Sequence, residues 1–214
     1  MDDSGLAVTS AVDWSNYSSN DRDKTRHLVI ALCKLSQHWE RLLYSTVGAI
    51  NFQKSFWHLL SWTWKKGIPT LAKIQDIPSD LHLTTGCHRL LDKVPRINPR
   101  DAFHTLVVYI SPSGSQKKQI SVLRGYSETY STTIHSSTLT PGEAYWSYSL
   151  YLHPKLTGCT SLTQQQCKYI QASALAALLP KMHLNHHTPH AVLFSESRLG
   201  GLSLPDLYTD QGHY

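Results

Sequence analysis

Adjacent aspartates and a group of histidines are the residues in this sequence whose side chains could bind metal. Asp2 and Asp3 supply carboxylate oxygens, which Mg²⁺ prefers as ligands, although two adjacent aspartates alone indicate almost nothing. Zinc favours imidazole nitrogens, and four histidines lie close together at His183, His186, His187 and His190. No cysteine or carboxylate completes a recognised zinc spacing, so an ordinary loop is the favoured interpretation of the histidines.

A second chemical feature is the stretch from Ser55 to Lys66, which is rich in aromatic residues and ends in two lysines. Trp62 and Trp64 could stack on bases, and Lys65 and Lys66 could pair with phosphates. The alternative is that the tryptophans form a core and the lysines form a solvated turn. The sequence contains no Ser-His-Asp order and no glycine-rich phosphate loop.

The charge of the chain is unevenly distributed. The 214 residues have a net charge of +5, and residues 1–23 hold five Asp against one Arg, which leaves about +9 on the rest. A basic body favours a polyanionic partner such as nucleic acid, while a solvated surface is the alternative. The apolar content of 41% and charged content of 16% are typical of a globular protein.

Cysteine usage and hydrophobicity bear on the compartment. None of the four cysteines forms a C-x-x-C pair, no signal peptide opens the chain, and no apolar run is long enough to span a membrane. We therefore expect a reduced intracellular protein, cytoplasmic or nuclear, with free thiols. The four cysteines are Cys33, Cys87, Cys159 and Cys167.

The first half of the chain must position the aspartates and the aromatic stretch. Apolar residues at 3–4 spacing predict a long amphipathic helix over 24–46, with Leu28, Leu32, Leu35, Trp39, Leu42 and Leu43 on its apolar face and Gly48 as its left-handed terminator. Residues 55–64 and 68–74 predict a β-hairpin around a turn at 65–67. Residues 75–101 predict a loop with one short strand at 81–84, and residues 103–111 predict a single strand.

The second half is predicted to be mainly helical. Pro112 to Ser115 stop the preceding strand and cap a helix whose apolar face holds Ile120, Leu123, Tyr130 and Ile134. Capping boxes at 140–143 and 163–166 predict two more helices, which end at Pro154 and Pro180. Residues 191–195 predict a short strand, and residues 199–205 a turn before a terminal helical segment. The fold class is therefore α+β, with the strands in front and the helices behind.

The order of these motifs resembles that of reverse transcriptases of non-LTR-type retroelements. In that family a catalytic hairpin ends in aromatic-x-Asp-Asp and is followed by a helix, a Gly…Asn-x-x-Lys segment and an aromatic-rich hairpin. Here Met1-Asp2-Asp3 precedes the long helix, and Gly48, Asn51 and Lys54 follow it. The stretches 112–140 and 199–202 also look like C-terminal parts of these enzymes, so the resemblance covers nearly the whole chain.

The resemblance implies a C-terminal piece of a polymerase palm at 1–111 and a helical thumb-like region at 112–214. It implies Asp2 and Asp3 as ligands of catalytic Mg²⁺, and Lys54 as a residue near the departing pyrophosphate, where a surface lysine is the alternative. It places Trp62, Trp64, Lys65 and Lys66 on the primer, and Lys117, Lys118 and Arg124 along an RNA template or RNA–DNA duplex.

The family's activity is RNA-directed DNA polymerisation, but its other metal-binding aspartate precedes the hairpin and has no match in these 214 residues. The resemblance makes Met1 the variable residue of aromatic-x-Asp-Asp, so we expect a truncated, catalytically inactive chain that binds Mg²⁺ weakly. Two alternatives remain: a nucleic-acid-binding protein without catalysis, and a helical interaction protein that keeps only the packed scaffold.

Overall fold

The computed structural model describes residues 7–9, 21–52, 54–85, 90–105, 108–157 and 161–211. It is an α+β structure of helices and small antiparallel sheets, as predicted at that level. The chain divides into two compact units. Residues 1–103 and 111–115 form unit 1, and residues 104–110 and 116–214 form unit 2. The sequence-based division between 111 and 112 differs from these units at two places: residues 104–110 group with unit 2, and residues 112–115 group with unit 1.

Helix α1 spans Asp21–Ser45 and begins unit 1, close to its predicted bounds. The predicted apolar face is confirmed only in part. Leu32 packs against the core and Leu28, Trp39 and Leu43 are half-buried, whereas Leu35 and Leu42 are 38% and 47% exposed. The buried side also includes Thr25, Ser36 and Glu40. The side that faces the sheet is fixed by polar contacts. The Gln37 side-chain oxygen accepts a hydrogen bond from the Thr84 amide (2.8 Å), and the Cys33 thiol donates to the His82 carbonyl (3.3 Å).

The terminator of α1 also differs from the prediction. The left-handed residue is Val47, with φ 62°, and Gly48 is not left-handed. The Gly48 amide donates to the Leu43 carbonyl (2.8 Å) and the Val47 amide to the Tyr44 carbonyl (3.2 Å), which is the hydrogen-bond pattern of a Schellman motif. Glycine is the usual residue at this position, so a β-branched Val47 at 98% exposure is held there at a conformational cost.

Two hairpins complete unit 1. Strands β1 (Trp62–Lys65) and β2 (Ile68–Leu71) form the predicted aromatic hairpin, although both strands are shorter than predicted. Strands β3 (Leu81–Thr85) and β4 (Leu90–Val94) form a second antiparallel hairpin, whose second strand the sequence analysis did not predict. Only Val94 of β4 is shown to be buried, and Lys93 pairs with Asp80 at 2.7 Å, so β4 lacks an apolar signature.

The core of unit 1 forms where α1, β3 and β4 meet the segment around Trp57. The Trp57 indole N–H donates to the Val94 carbonyl (3.2 Å), and the Arg96 guanidinium lies 5.1 Å from the ring centroid. The buried apolar residues are Trp57, Leu59, Leu81, Leu83 and Val94. Within the aromatic stretch, Trp57 and Leu59 are therefore buried in this core, while Leu60 is exposed.

Unit 2 begins with two short strands, β5 (Phe103–Thr105, whose first residue belongs to unit 1) and β6 (Val108–Ile110), in place of the single predicted strand. Its main feature is a pair of parallel helices, α2 (Lys117–Ser136) and α5 (Gln164–Lys181). At the N-terminal ends of the two helices, the Gln116 side chain donates a hydrogen bond to the Ser161 carbonyl (2.9 Å). At their C-terminal ends, the Lys181 ammonium donates to the Ser137 carbonyl (2.5 Å). The two helices therefore run in the same direction. Residues 112–115 do not cap α2, because its N-cap is Gln116 with no side-chain hydrogen bond.

The segment between these helices crosses back over them. It consists of α3 (Pro141–Trp146), a π-helical turn (Ser147–Leu152) and α4 (His153–Leu156). The helix was predicted to end before Pro154 and does not. Because the π-helical turn precedes it, Pro154 falls in the first turn of α4, where a missing N–H costs no hydrogen bond. Both predicted capping boxes form, and α5 extends one residue beyond Pro180.

The C-terminal part of unit 2 is helical where a strand was predicted. Residues 190–194 form α6 (His190–Phe194), because the Pro189 carbonyl accepts hydrogen bonds from the amides of Val192 (2.9 Å) and Leu193 (3.2 Å). A 3-10 turn (Ser197–Leu199) and α7 (Leu207–Gln211) follow, the latter as predicted. The core of unit 2 includes Leu123, Tyr130, Ile134, Tyr148, Leu152, Ile170, Leu178, Leu193, Leu204 and Leu207.

Candidate nucleic-acid interface

Lys54 lies in a turn that follows the end of α1. The Asn51 carbonyl accepts hydrogen bonds from the amides of Lys54 (3.1 Å) and Ser55 (2.9 Å), so local backbone contacts fix the position of the lysine. Its side chain is exposed. The surface-lysine alternative and the predicted functional role are both compatible with this placement.

The β1–β2 hairpin presents its lysine turn to solvent. Lys65 pairs with Ile68, and the two residues between them, Lys66 and Gly67, have positive φ angles of 54° and 76°. Two consecutive left-handed residues form a type I′ turn, which suits the twist of a hairpin. The turn therefore holds Lys66 at the tip, where its side chain is exposed.

The aromatic side of the hairpin is only partly described. Trp62 pairs with Leu71, and its side chain is 47% exposed, so one large aromatic surface remains accessible to solvent. The side-chain placement of Trp64 and Lys65 lies outside what the structure describes. Reciprocal hydrogen bonds between Thr63 and Thr70 (3.2 and 3.0 Å) hold the two strands in register beneath the turn.

In unit 2, Lys117 and Lys118 occupy the first turn of α2, and both are exposed. The first turn contains no acidic residue, and the N-cap makes no side-chain hydrogen bond. Cations near a helix N-terminus oppose the helix dipole, whereas an anion there is stabilised by about 0.3–1 kcal/mol. The Lys118 ammonium also lies 5.6 Å from the centroid of the Tyr109 ring. The lysines and the dipole at this end of α2 therefore both favour a negatively charged partner.

Arg124 is held by contacts within unit 2. Its Nε donates to a Glu128 carboxylate oxygen (2.7 Å), and its guanidinium lies 4.4 Å from the centroid of the Tyr169 ring on α5. A second guanidinium nitrogen donates to the Tyr169 carbonyl. These contacts join α2 to α5, so Arg124 has a structural role that the sequence did not reveal.

The predicted metal ligands Asp2 and Asp3 lie outside the described residues. Over the described part of the chain, no group of three or more His, Cys, Asp or Glu side chains could hold a metal ion. The four histidines at 183–190 are exposed, and His183 is left-handed with φ 59° just after α5. The carboxylate pair thus remains a sequence-based prediction, and no Mg²⁺ chemistry is assigned to described residues.

A row of cations on α1 was not selected from the sequence. Lys34, His38 and Arg41 follow one another at intervals of four and three residues, and all three are exposed. That spacing places them on one side of a helix, but the spacing alone does not show that this side is exposed.

Comparison of the chain with protein-family models, with curated proteins and with solved structures finds no match. No helix within the described residues is long and apolar enough to cross a membrane. Both described cysteines, Cys33 and Cys167, are free thiols, and burial raises the pKa of Cys167. Function is therefore inferred from the residues and contacts described above and from the motif order in the sequence.

Proposed function

We propose that the chain is a C-terminal part of a retroelement reverse transcriptase that binds an RNA template or RNA–DNA duplex through exposed cations. The ancestral activity is RNA-directed DNA polymerisation with Mg²⁺, residues 1–111 correspond to the palm, and residues 112–214 to a thumb-like region. We also propose that these 214 residues do not polymerise, because they contain a match to only one of the family's two sources of metal-binding carboxylate.

The observation that carries the proposal is the order and exposure of the elements in unit 1. A long helix with a Schellman terminator, a turn bearing Lys54, and an aromatic hairpin with Lys66 at its tip follow one another in the order of the family motifs. The lysines and Trp62 are exposed on elements whose backbone is fixed by local hydrogen bonds. Exposed cations are suited to phosphates, and an exposed aromatic ring is suited to bases.

Arg124 is not included in the proposed contact surface. Its guanidinium is occupied by Glu128 and Tyr169, and its removal would perturb the packing of α2 on α5 as well as any contact with phosphate. The thumb-like part of the proposed surface therefore consists of Lys117 and Lys118.

The proposal is tested by fluorescence anisotropy with a labelled RNA–DNA duplex at several salt concentrations. Each phosphate contact contributes about 0.9 to the slope of log affinity against log salt, so we expect Lys66→Asn to flatten the slope by about one unit and Lys117→Gln/Lys118→Gln by about two. Asparagine favours the left-handed conformation required at residue 66, so Lys66→Asn removes the charge without opposing the turn.

A matched control for the α2 variant is Lys155→Gln/Lys168→Gln, which removes two exposed charges from the same unit. We expect its salt slope to equal that of the wild type. Salt-insensitive binding, or no binding, would contradict the proposal and favour a helical interaction protein. Primer extension with deoxynucleotides and Mg²⁺ should give no product, and extension by this chain would contradict the proposed inactivity.

A further inference from the structure

The exposed side of α1 carries a row of cationic and imidazole side chains. It consists of His27, Lys34, His38 and Arg41, which we name the α1 ridge. Their spacings of seven, four and three residues place them within one arc of the helix. All four side chains are exposed, so the ridge faces solvent in unit 1.

Among the described side chains, the ridge has no acidic neighbour on its own face; the side chain of Asp23, one turn before His27, lies outside them. The only acidic residue between positions 25 and 45 is Glu40, which is 5% exposed and belongs to the buried side of α1. Neither Lys34 nor Arg41 takes part in the ion pairs found among the described residues. The positive charge of Lys34 and Arg41 is therefore not neutralised by a described carboxylate.

The ridge lies on a helix whose orientation is fixed. Lys34, His38 and Arg41 border a shallow, open groove of about 360 Å³ together with Cys33 and Gln37, and all five residues belong to α1. The Gln37 amide nitrogen donates to the Thr84 carbonyl (2.9 Å), and its oxygen accepts from the Thr84 amide (2.8 Å). These bonds to strand β3 fix the rotation of α1, so the cations keep their direction towards solvent.

We propose that the α1 ridge binds the phosphate backbone of a nucleic-acid duplex, as a contact surface additional to the hairpin and the start of α2. This inference rests on the proposed function and adds a site to it. From His27 to Arg41 the ridge spans 14 helical steps, or about 21 Å at the helical rise of 1.5 Å per residue, over which one duplex strand presents roughly six phosphates. Two permanent cations, Lys34 and Arg41, with two histidines on the same face and no described carboxylate beside them, suit a polyanion.

The test compares two double variants with the same net charge. Lys34→Gln/Arg41→Gln removes the two permanent charges of the ridge, and Lys73→Gln/Arg100→Gln removes two exposed charges elsewhere in unit 1. The side chains concerned are all exposed, so neither variant should impair folding, and circular dichroism verifies this. The probe is a labelled RNA–DNA duplex, with anisotropy measured over a series of salt concentrations.

We expect the ridge variant to bind about 10- to 60-fold more weakly near 0.1 M salt, with a salt slope lower by about two units. The control variant should bind like the wild type. Duplex should also slow the alkylation of Cys33, which lines the same groove, in the wild type but not in the ridge variant.

The outcomes separate the two proposals. If the wild type binds with a salt slope that depends on Lys66 but the ridge variant equals its control, the ridge inference is overturned and the proposed function stands. If the wild type does not bind duplex at all, both are overturned. If Cys33 is protected equally in the ridge variant, the duplex contacts α1 without using these charges, which also overturns the inference.

Discussion

Gly201 lies where the backbone passes close to Ser195, and we predict that Gly201→Ala strongly destabilises unit 2. A Cβ atom at this position would overlap the carbonyl oxygen and the hydroxyl of Ser195. The segment that follows Gly201 is bound to α6 and to Ser195 by three backbone hydrogen bonds. The amides of Leu202, Ser203 and Leu204 donate to the carbonyls of Val192 (2.8 Å), Ser195 (2.9 Å) and Leu193 (2.9 Å), respectively. The chain must move away from Ser195 to accommodate a methyl group.

The loss in free energy of unfolding is estimated from the contacts that a displacement of residues 201–204 would break. Three backbone hydrogen bonds contribute about 1 kcal/mol each, so their loss costs about 3 kcal/mol. Leu204 is 2% exposed, and its displacement adds to this cost. Gly200 provides the matched control, because a Cβ there meets no atom within 4 Å and only its φ of 83° opposes a side chain. Gly200→Ala should cost about 1–2 kcal/mol, the usual price of a left-handed residue.

The assay is urea unfolding of the full chain, followed by circular dichroism of the helices. We expect the free energy of unfolding to fall by about 3 kcal/mol or more for Gly201→Ala and by about 1–2 kcal/mol for Gly200→Ala. The reasoning is refuted if Gly201→Ala unfolds within about 0.5 kcal/mol of the wild type. It is also refuted if Gly200→Ala is the more damaging of the two substitutions.

Two further predictions concern local strain and buried charge. Val47→Gly should raise the free energy of unfolding by about 1 kcal/mol, because glycine relieves the left-handed strain at φ 62°, and Val47→Ala, which retains a Cβ, should raise it less. Equal stability of Val47→Gly and the wild type in urea would contradict the assigned strain. Burial lowers the pKa of His153 below its usual 6.5. The Asp210 carboxylate, 3.1 Å from the ring nitrogen Nε2, raises this pKa, but it makes no hydrogen bond to the ring and does not offset the burial. Stability present above about pH 6.5 should therefore be lost as the pH falls through the lower folded-state pKa, and His153→Gln should remove this dependence in pH-dependent thermal unfolding. A His153→Gln variant with the pH dependence of the wild type would contradict it.

Local signals predicted the helices of unit 2 well. Thr140 with Glu143 and Thr163 with Gln166 form reciprocal capping boxes, and such motifs need only residues three apart in the sequence. Leu123, Tyr130 and Ile134 of α2 are buried, as their spacing predicted. A helix can be predicted from the sequence when its capping residues and its apolar spacing both lie within the helix itself.

The errors share a different cause. Strand β4 (Leu90–Val94) depends on pairing with β3, and α6 (His190–Phe194) depends on hydrogen bonds to Pro189, so neither has a clear apolar period of its own. Short apolar runs fit a helix or a strand equally well. The left-handed Val47 contradicts residue preference altogether, because the hydrogen bonds of the motif override it.

The candidate interface shows the same division. Lys66 at the hairpin tip could be predicted, since a lysine before glycine between two strands indicates a turn. The structural role of Arg124 could not, because Tyr169 lies 45 residues further along the chain and only the packing of α2 on α5 brings them together. The α1 ridge required knowledge of which side of α1 is buried, and the sheet decides that through Gln37 and Thr84.

The most direct test of the proposed relationship to reverse transcriptases is the sequence of the transcript upstream of the Met1 codon. The account predicts an in-frame aromatic residue immediately before Met1-Asp2-Asp3 and, further upstream, a strand motif that carries another aspartate. Such a sequence would make Asp2 and Asp3 members of a two-metal site. In-frame stop codons or an unrelated upstream sequence would contradict the assignment of Asp2 and Asp3 as catalytic ligands.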